Sequence, residues 1–149
     1  MSRTCTRLSV LALTTVLAAC AGSMGGGQEQ DYAHRTGDNT VIVSWNCMKA
    51  EPNLLAVKGI INDTIGASIQ DVTIEIIGIG PDGAQVSSGK GSPKEMVVTT
   101  MDRAPWQVLV NRAGTERQYD LYYSYRVGRG LTYASQQKNA QMNACPNLQ

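Results

Sequence analysis

From Thr40 onward, apolar and polar residues alternate with a period of two. Val41, Val43, Trp45 and Cys47 fall on one side of a first stretch, and Ser44 and Asn46 on the other. That is the spacing of a strand with one buried face. Glu51-Pro52-Asn53 is turn chemistry, and Leu55, Val57, Gly59 and Ile61 mark a second strand that stops at Asn62-Asp63. A third, Ile69 to Ile79, is β-branched, with Val72, Ile74 and Ile76 on one side. It ends at Pro81-Asp82-Gly83, where proline presets one backbone angle and glycine tolerates a positive one. A weaker strand follows over Ala84–Ser88, another over Glu95–Met101, and then Trp106, Val108 and Val110 share a face. The clearest strand comes last. Tyr119, Leu121, Tyr123, Tyr125 and Val127 alternate against Gln118, Asp120, Tyr122, Ser124 and Arg126. No window carries a 3.6-residue apolar repeat of useful length, and Ser135–Met142 is the one place where a short helix fits.

About seven short strands separated by turn signals predict an all-β fold, an antiparallel immunoglobulin-like β-sandwich spanning residues 40–149. Alternation is required there because each sheet buries one face against the other and keeps the opposite face wet. The predicted core contains Trp45, Val57, Val72, Ile74, Trp106, Val108 and Leu121. After Gly130 the chain is polar and poorly patterned, and reads as a tail.

Two segments of other character precede the domain. Ala21 to about Asn39 is rich in glycine and polar residues, without an apolar period, and reads as a flexible linker. Before it, Arg3 and Arg7 introduce an uncharged run, Leu8 to Ala19, of the length of a secretion-signal core. That run is well short of the ~20 residues a membrane-crossing helix needs, so residues 1–19 are expected to be a cleaved signal peptide. Leu17-Ala18-Ala19-Cys20 resembles the lipobox of bacterial lipoproteins. The resemblance implies diacylglycerol on the Cys20 thiol, cleavage just before Cys20 and attachment to a membrane through the lipid. Two or more acyl chains make such an anchor effectively permanent. Ala21, in place of the Asp that marks inner-membrane retention, implies the outer membrane, with the domain facing the periplasm. The alternative is an ordinary signal peptide ending at Ala-x-Ala, with Cys20 merely nearby.

Charge and cysteine content narrow the classes of partner. The chain carries a net charge of +1, and losing Arg3 and Arg7 with the signal brings the mature balance to −1. The remaining charges form no linear basic stripe or acidic block, so nucleic acid and anionic membranes are not expected as electrostatic partners. Cys5 leaves with the signal and Cys20 takes lipid, which leaves Cys47 and Cys145 as a pair in an exported protein. A disulfide between them is expected, and it would keep the tail on the domain. The alternatives are two unpaired thiols or half a metal site. The sole histidine, His34, falls in the linker, so zinc has too few ligands and no metal or other cofactor is expected.

Val57 to Asp63 (VKGIIND), then Ile69, Val72, Ile74 and Ile76, then Pro81-Asp82-Gly83, resembles the FxLYD family of exported immunoglobulin-like domains. Pro105-Trp106-Gln107-Val108 is similar to that family's later Pro-aromatic-x-Val segment, and the tyrosine-rich final strand to its close. The likeness spans Val41 to Val127. It departs at the name-giving motif, where this chain has Ile76-Ile77-Gly78-Ile79-Gly80. The resemblance implies a binding or structural module and brings no catalytic residues.

Other signals for chemistry are thin. Gly78 to Gly83 matches GxGxxG, yet Ala84–Gly91 has no helical pattern to begin a dinucleotide-binding helix, so a hairpin is expected. Ser87, Ser88 and Lys90 fall in a glycine-rich turn without an oxyanion site, and Asp71 and Glu75 share an outer strand face with Thr73. Tyr122 and Arg126, on the polar side of the last strand, are the candidate contact residues, since an exposed tyrosine among adaptable polar groups suits a recognition surface. A non-enzymatic module that binds another envelope protein or supports an assembly is therefore the expected function. A small-molecule or glycan binder using the loop end of the sandwich is the alternative. Radiolabelled palmitate should enter the wild-type protein and be absent from Cys20→Ala, which should also accumulate as precursor. A cleaved, soluble, label-free wild type would overturn the lipid reading.

Overall fold

The alternating stretches pair into two antiparallel sheets that pack face to face as an immunoglobulin-like β-sandwich. The computed structural model describes residues 31–94, 97–98, 103–129, 132–133 and 137–148. The signal segment, Cys20 and residues 21–30 of the linker lie outside the described residues. The strands are β1 (His34–Gly37), β2 (Val41–Glu51), β3 (Leu54–Asp63), β4 (Ser68–Ile79), β5 (Gln85–Gly91), β6 (Val97–Val98), β7 (Arg103–Asn111), β8 (Gln118–Arg129), β9 (Thr132–Tyr133) and β10 (Gln137–Gln141). One sheet has the order β1-β2-β3-β7. The other runs β10-β8-β4-β5, with β6 also on β4 and β9 also on β8.

The seven expected strands are β2 to β8; of the Glu95–Met101 stretch, only β6 lies within the described residues. Three elements differ from expectation. His34–Gly37, read as linker, is a strand that pairs with Ile42–Trp45 of β2. Polar Gln137–Gln141, read as tail or short helix, is a strand on β8. The weaker strand expected over Ala84–Ser88 runs on as β5 to Gly91, so Lys90, read with Ser87 and Ser88 as part of a glycine-rich turn, sits within a strand. In each case backbone pairing to a long, strongly patterned neighbour overrides weak local preference.

All seven predicted core residues are buried, and β7 alternates buried and exposed along its whole length. On β4, Ile69 and Val72 are both buried although they are three apart. A β-bulge resolves this. Pairing with β8 jumps from Gln70–Arg126 to Thr73–Ser124, and Asp71 takes a left-handed conformation, φ 51°. The extra residue resets which side chains point inward.

The sandwich is closed along both seams between its sheets. At one, Gly89 and Gly91 of β5 lie against the carbonyls of Leu109 and Gln107 of β7, where a Cβ would collide with backbone. Glycine at these positions lets the two edges touch. At the other, residues 143–145 cross from one sheet to the other. The Ala144 amide donates to Tyr119 O of β8 at 2.5 Å, and the Asn143 amide to the Asp120 carboxylate at 2.8 Å. From the opposite sheet, the buried Trp45 indole of β2 donates to Ala144 O at 2.8 Å, and Cys47 is disulfide-bonded to Cys145.

This latch spans 98 residues of sequence, and in the chain-entropy account such a crosslink contributes about 4–5 kcal/mol. Urea unfolding of a Cys47→Ala/Cys145→Ala variant should lose that order of stability. Trp45→Ala should lose about 3–5 kcal/mol through its cavity, with the disulfide intact. A double cysteine variant as stable as wild type would refute the latch.

Candidate functional site

The outer face of the six-stranded sheet carries a polar depression. Side chains from four adjacent strands line it: Thr73, Glu75 and Ile77 from β4, Lys90 from β5, Tyr122 and Ser124 from β8, and Lys138 from β10. Its volume is about 360 Å³, and it is open to solvent. Cross-strand register builds it. Lys138, Ser124 and Thr73 form one row, and Tyr122, Glu75 and Lys90 the next. Residues directly opposite on one face of a sheet stand close enough to interact, so residues far apart in sequence become one surface.

The electrostatics are mixed. Lys90 Nζ lies 3.8 Å from Glu75 Oε2, and Arg126 Nη1 lies 3.4 Å from Asp71 Oδ2. Both pairs are solvent-exposed and contribute little to stability. Lys138 has no ion-pair partner among the described residues and leaves the depression with net positive charge. Of the two candidate contact residues, Tyr122 is half-buried within the depression, and Arg126 is exposed beside it, tied to the bulge residue Asp71.

Asp38, in the turn between β1 and β2, holds the wall formed by β10. Its Oδ2 accepts hydrogen bonds from the Tyr125 hydroxyl at 2.7 Å and the Asn139 amide at 2.8 Å. Its Oδ1 accepts from the amides of Thr40 and Val41 at 2.8 and 2.9 Å. Burial raises the carboxyl pKa, but these four bonds outweigh it and hold the group below its ordinary value. The same contacts act on the tyrosines. Burial, and then the Asp38 charge, push Tyr123 up to about 12, and burial with the bond to Asp38 raises Tyr125. These inward tyrosines therefore stay protonated near neutral pH and offer no phenolate.

Groups that could suggest catalysis are engaged elsewhere. The Ser87 hydroxyl donates to Glu116 Oε1 at 2.8 Å. Ser87 is buried on the inner side of β5, whereas Lys90 is exposed on the outer side, so the two cannot act together. His34 stacks on Trp45, with ring centroids 5.6 Å apart. Gly80 to Gly83 form a hairpin turn closed by the Gly83 amide to Gly80 O, not a phosphate loop. Among the described residues no group of three or more His, Cys, Asp or Glu side chains could hold a metal ion, and no helix is long and apolar enough to cross a membrane.

No family model matches the chain, and no curated protein matches it. Solved structures do. The GAE domain of GGA2p from Saccharomyces cerevisiae superposes with a TM-score of 0.53 at 11% identity, covering 77% of this chain and 99% of that one. The yeast GGA1 GAE domain gives 0.53 at 8% identity, over 73% and 96%. At such identities the likeness establishes the fold alone.

Tyr122 and Arg126 were legible from the alternation of β8, but Lys90, Lys138 and Asp38 were not. Lys138 sits in QQKNAQ, which has no strand pattern of its own, and Asp38 acts through partners about 90 to 100 residues away. The folded Asp38 carboxyl has a depressed pKa. Its contribution is therefore complete above the unfolded value, about 4, and is lost as pH falls through the folded one. Asp38→Ala should cost about 1 kcal/mol at pH 7, allowing for its solvent exposure, and should flatten the acid limb of the urea midpoint against pH. An unchanged acid limb would rule out this role.

Proposed function

We propose that this chain is a lipid-anchored lipoprotein of the bacterial envelope whose sandwich domain is a non-catalytic protein-binding module. Its contact surface is the outer face of the six-stranded sheet. The observation that carries this is the convergence of Tyr122, Thr73, Ser124, Lys90 and Lys138 from four strands on one open depression. Enclosed pockets lined mainly by apolar groups suit small ligands. This surface is open, rich in hydroxyl and charged groups, and centred on a tyrosine, which suits an extended polypeptide. The lipobox resemblance at Leu17–Cys20 supports the anchor, and the FxLYD resemblance supports a binding or structural role. A glycan is the second occupant to consider, because Tyr122 offers a ring among hydroxyl groups. It would then lie on the sheet face, not at the loop end.

A photoreactive amino acid at position 122 of the lipidated protein should crosslink to a discrete envelope protein in cells. Lys138→Glu together with Arg126→Glu should lower the yield about tenfold. The same probe at position 107, on the other sheet, should give no such product. Equal products from both positions, or indifference to the charge reversals, would overturn the assignment of this face.

A further inference from the structure

We infer that the polypeptide partner of the six-stranded sheet binds as an added β-strand along the open edge of β10, with an acidic side chain opposite Lys138 and a large apolar or aromatic one opposite Ala140. The inference rests on the contact-face reading above and deepens it, naming how the partner engages and what it carries.

Three observations carry it. The first is the edge itself. The six-stranded sheet ends at β5 on one side and at β10 on the other. At β5 the edge is closed against β7, where Gly89 and Gly91 meet the carbonyls of Leu109 and Gln107. β10 pairs with β8 along its whole length, and among the described residues no other strand pairs with it. In an antiparallel pair every second residue turns its N–H and C=O away from the partner. Those groups of Gln137–Gln141 therefore point outward along an edge of about 17 Å. Main-chain donors and acceptors at that regular spacing match another extended polypeptide, and neither a glycan nor a lipid supplies their complement. Asp38 also holds the strand in place through the Asn139 amide at 2.8 Å, so an incoming strand meets an ordered template.

The second is charge. On the outer side of β10, Lys138 is exposed and stands opposite Ser124 of β8. The other cations of this face, Lys90 and Arg126, lie against Glu75 and Asp71. Lys138 has no such partner among the described residues, and its open side is the edge. A residue directly across from it on an added strand would be within interaction distance, and a carboxylate there completes the pair. Lysine on an edge strand disfavours indiscriminate pairing, so position 138 selects among incoming strands.

The third is a small side chain where the next outward one falls. Ala140 stands opposite Tyr122, so in that row only a methyl group separates the edge from the tyrosine at the centre of the depression. An added strand lies two strand spacings, about 10 Å, from β8. A large side chain opposite Ala140 crosses that gap over the methyl and meets the Tyr122 ring, as long aromatic side chains do across a sheet. Met142, 58% exposed just past the end of β10, adds an apolar contact beside it. Residues opposite Lys138 and Ala140 are two apart on the added strand, so the acid and the large residue share its outward side.

The test uses the full-length lipidated protein in phospholipid nanodiscs as bait for a displayed library of random dodecapeptides, with subtraction on empty nanodiscs. Enriched peptides should carry an acidic residue two positions from an aromatic or large aliphatic one. Against Lys138→Glu the acid should give way to lysine or arginine, and against Ala140→Trp the preference for the large residue should disappear. Both positions are exposed, so neither change disturbs the core. In a synthetic copy of an enriched peptide, N-methylation of every second residue should weaken binding about tenfold, while N-methylation of the intervening residues should leave it unchanged. No enrichment, a charge preference indifferent to position 138, or N-methylation without alternation would overturn strand addition. If position 122 still photocrosslinks to its partner in that case, the contact face stands and only this mode of binding falls. A silent position 122 removes the face itself, and this inference with it.

Discussion

The fold depends on one crossing between its sheets. Trp45 fills the core beneath β2, and its indole N–H must be satisfied inside it. The chain that supplies the acceptor, Ala144, is itself hydrogen-bonded to β8 of the other sheet and crosslinked one residue later to β2. A buried aromatic with a polar handle requires a partner, and here the partner is the segment that joins the two layers. Residues 143–145 have almost no hydrophobic pattern of their own. They are ordered by the largest side chain of the core, by a covalent bond and by Asp120, a buried carboxylate that bonds their backbone.

From that crossing, β10 and β1 follow. With the chain pinned at Cys145, the preceding residues are carried along the free edge of β8, and the polar stretch Gln137–Gln141 pairs there without an apolar face to recommend it. Across the seam, β1 completes the other sheet, and His34 covers Trp45 from its edge. Asp38 then ties the β1–β2 turn to Tyr125 and Asn139. Both edges that alternation did not reveal are thus held by side chains from the opposite sheet.

This explains how much was legible in the sequence. Strands β2, β3, β4, β7 and β8 bury a face, so their pattern carries their position, and every core residue expected on them is buried. The cysteine pair was legible because the export expected from the N-terminal segment would leave thiols few other fates, and the structure joins Cys47 to Cys145. Strands β1 and β10 bury little and are specified by tertiary contacts, which a linear pattern does not contain. The same limit applies to the surface. Tyr122 and Arg126 show in the alternation of β8, whereas the charges around them arrive by pairing: Lys90 through β5 on β4, which itself pairs with β8 across 39 to 60 residues, and Lys138 by the return of the tail onto β8.

An open sheet face also constrains the kind of work such a domain can do. Catalysis needs a reacting atom surrounded by pre-placed groups and shielded from water. A sheet instead projects parallel side chains from one side, each reaching outward into solvent. Here the buried hydroxyls and carboxylates have structural partners: Ser87 with Glu116, Tyr125 with Asp38, and Asp120 with Asn143. What remains outward on β4, β5, β8 and β10 is a set of hydroxyl and charged groups held at fixed spacing on a rigid sheet, with the ordering cost already met by folding. Such pre-organisation favours binding. A sandwich also has two outer faces pointing in opposite directions, and the one built by β4, β5, β8 and β10 is polar with mixed charge. In the proposed function the two-layer packing that buries Trp45 holds the outer side chains of the six-stranded sheet at fixed spacing towards a partner, without any moving part.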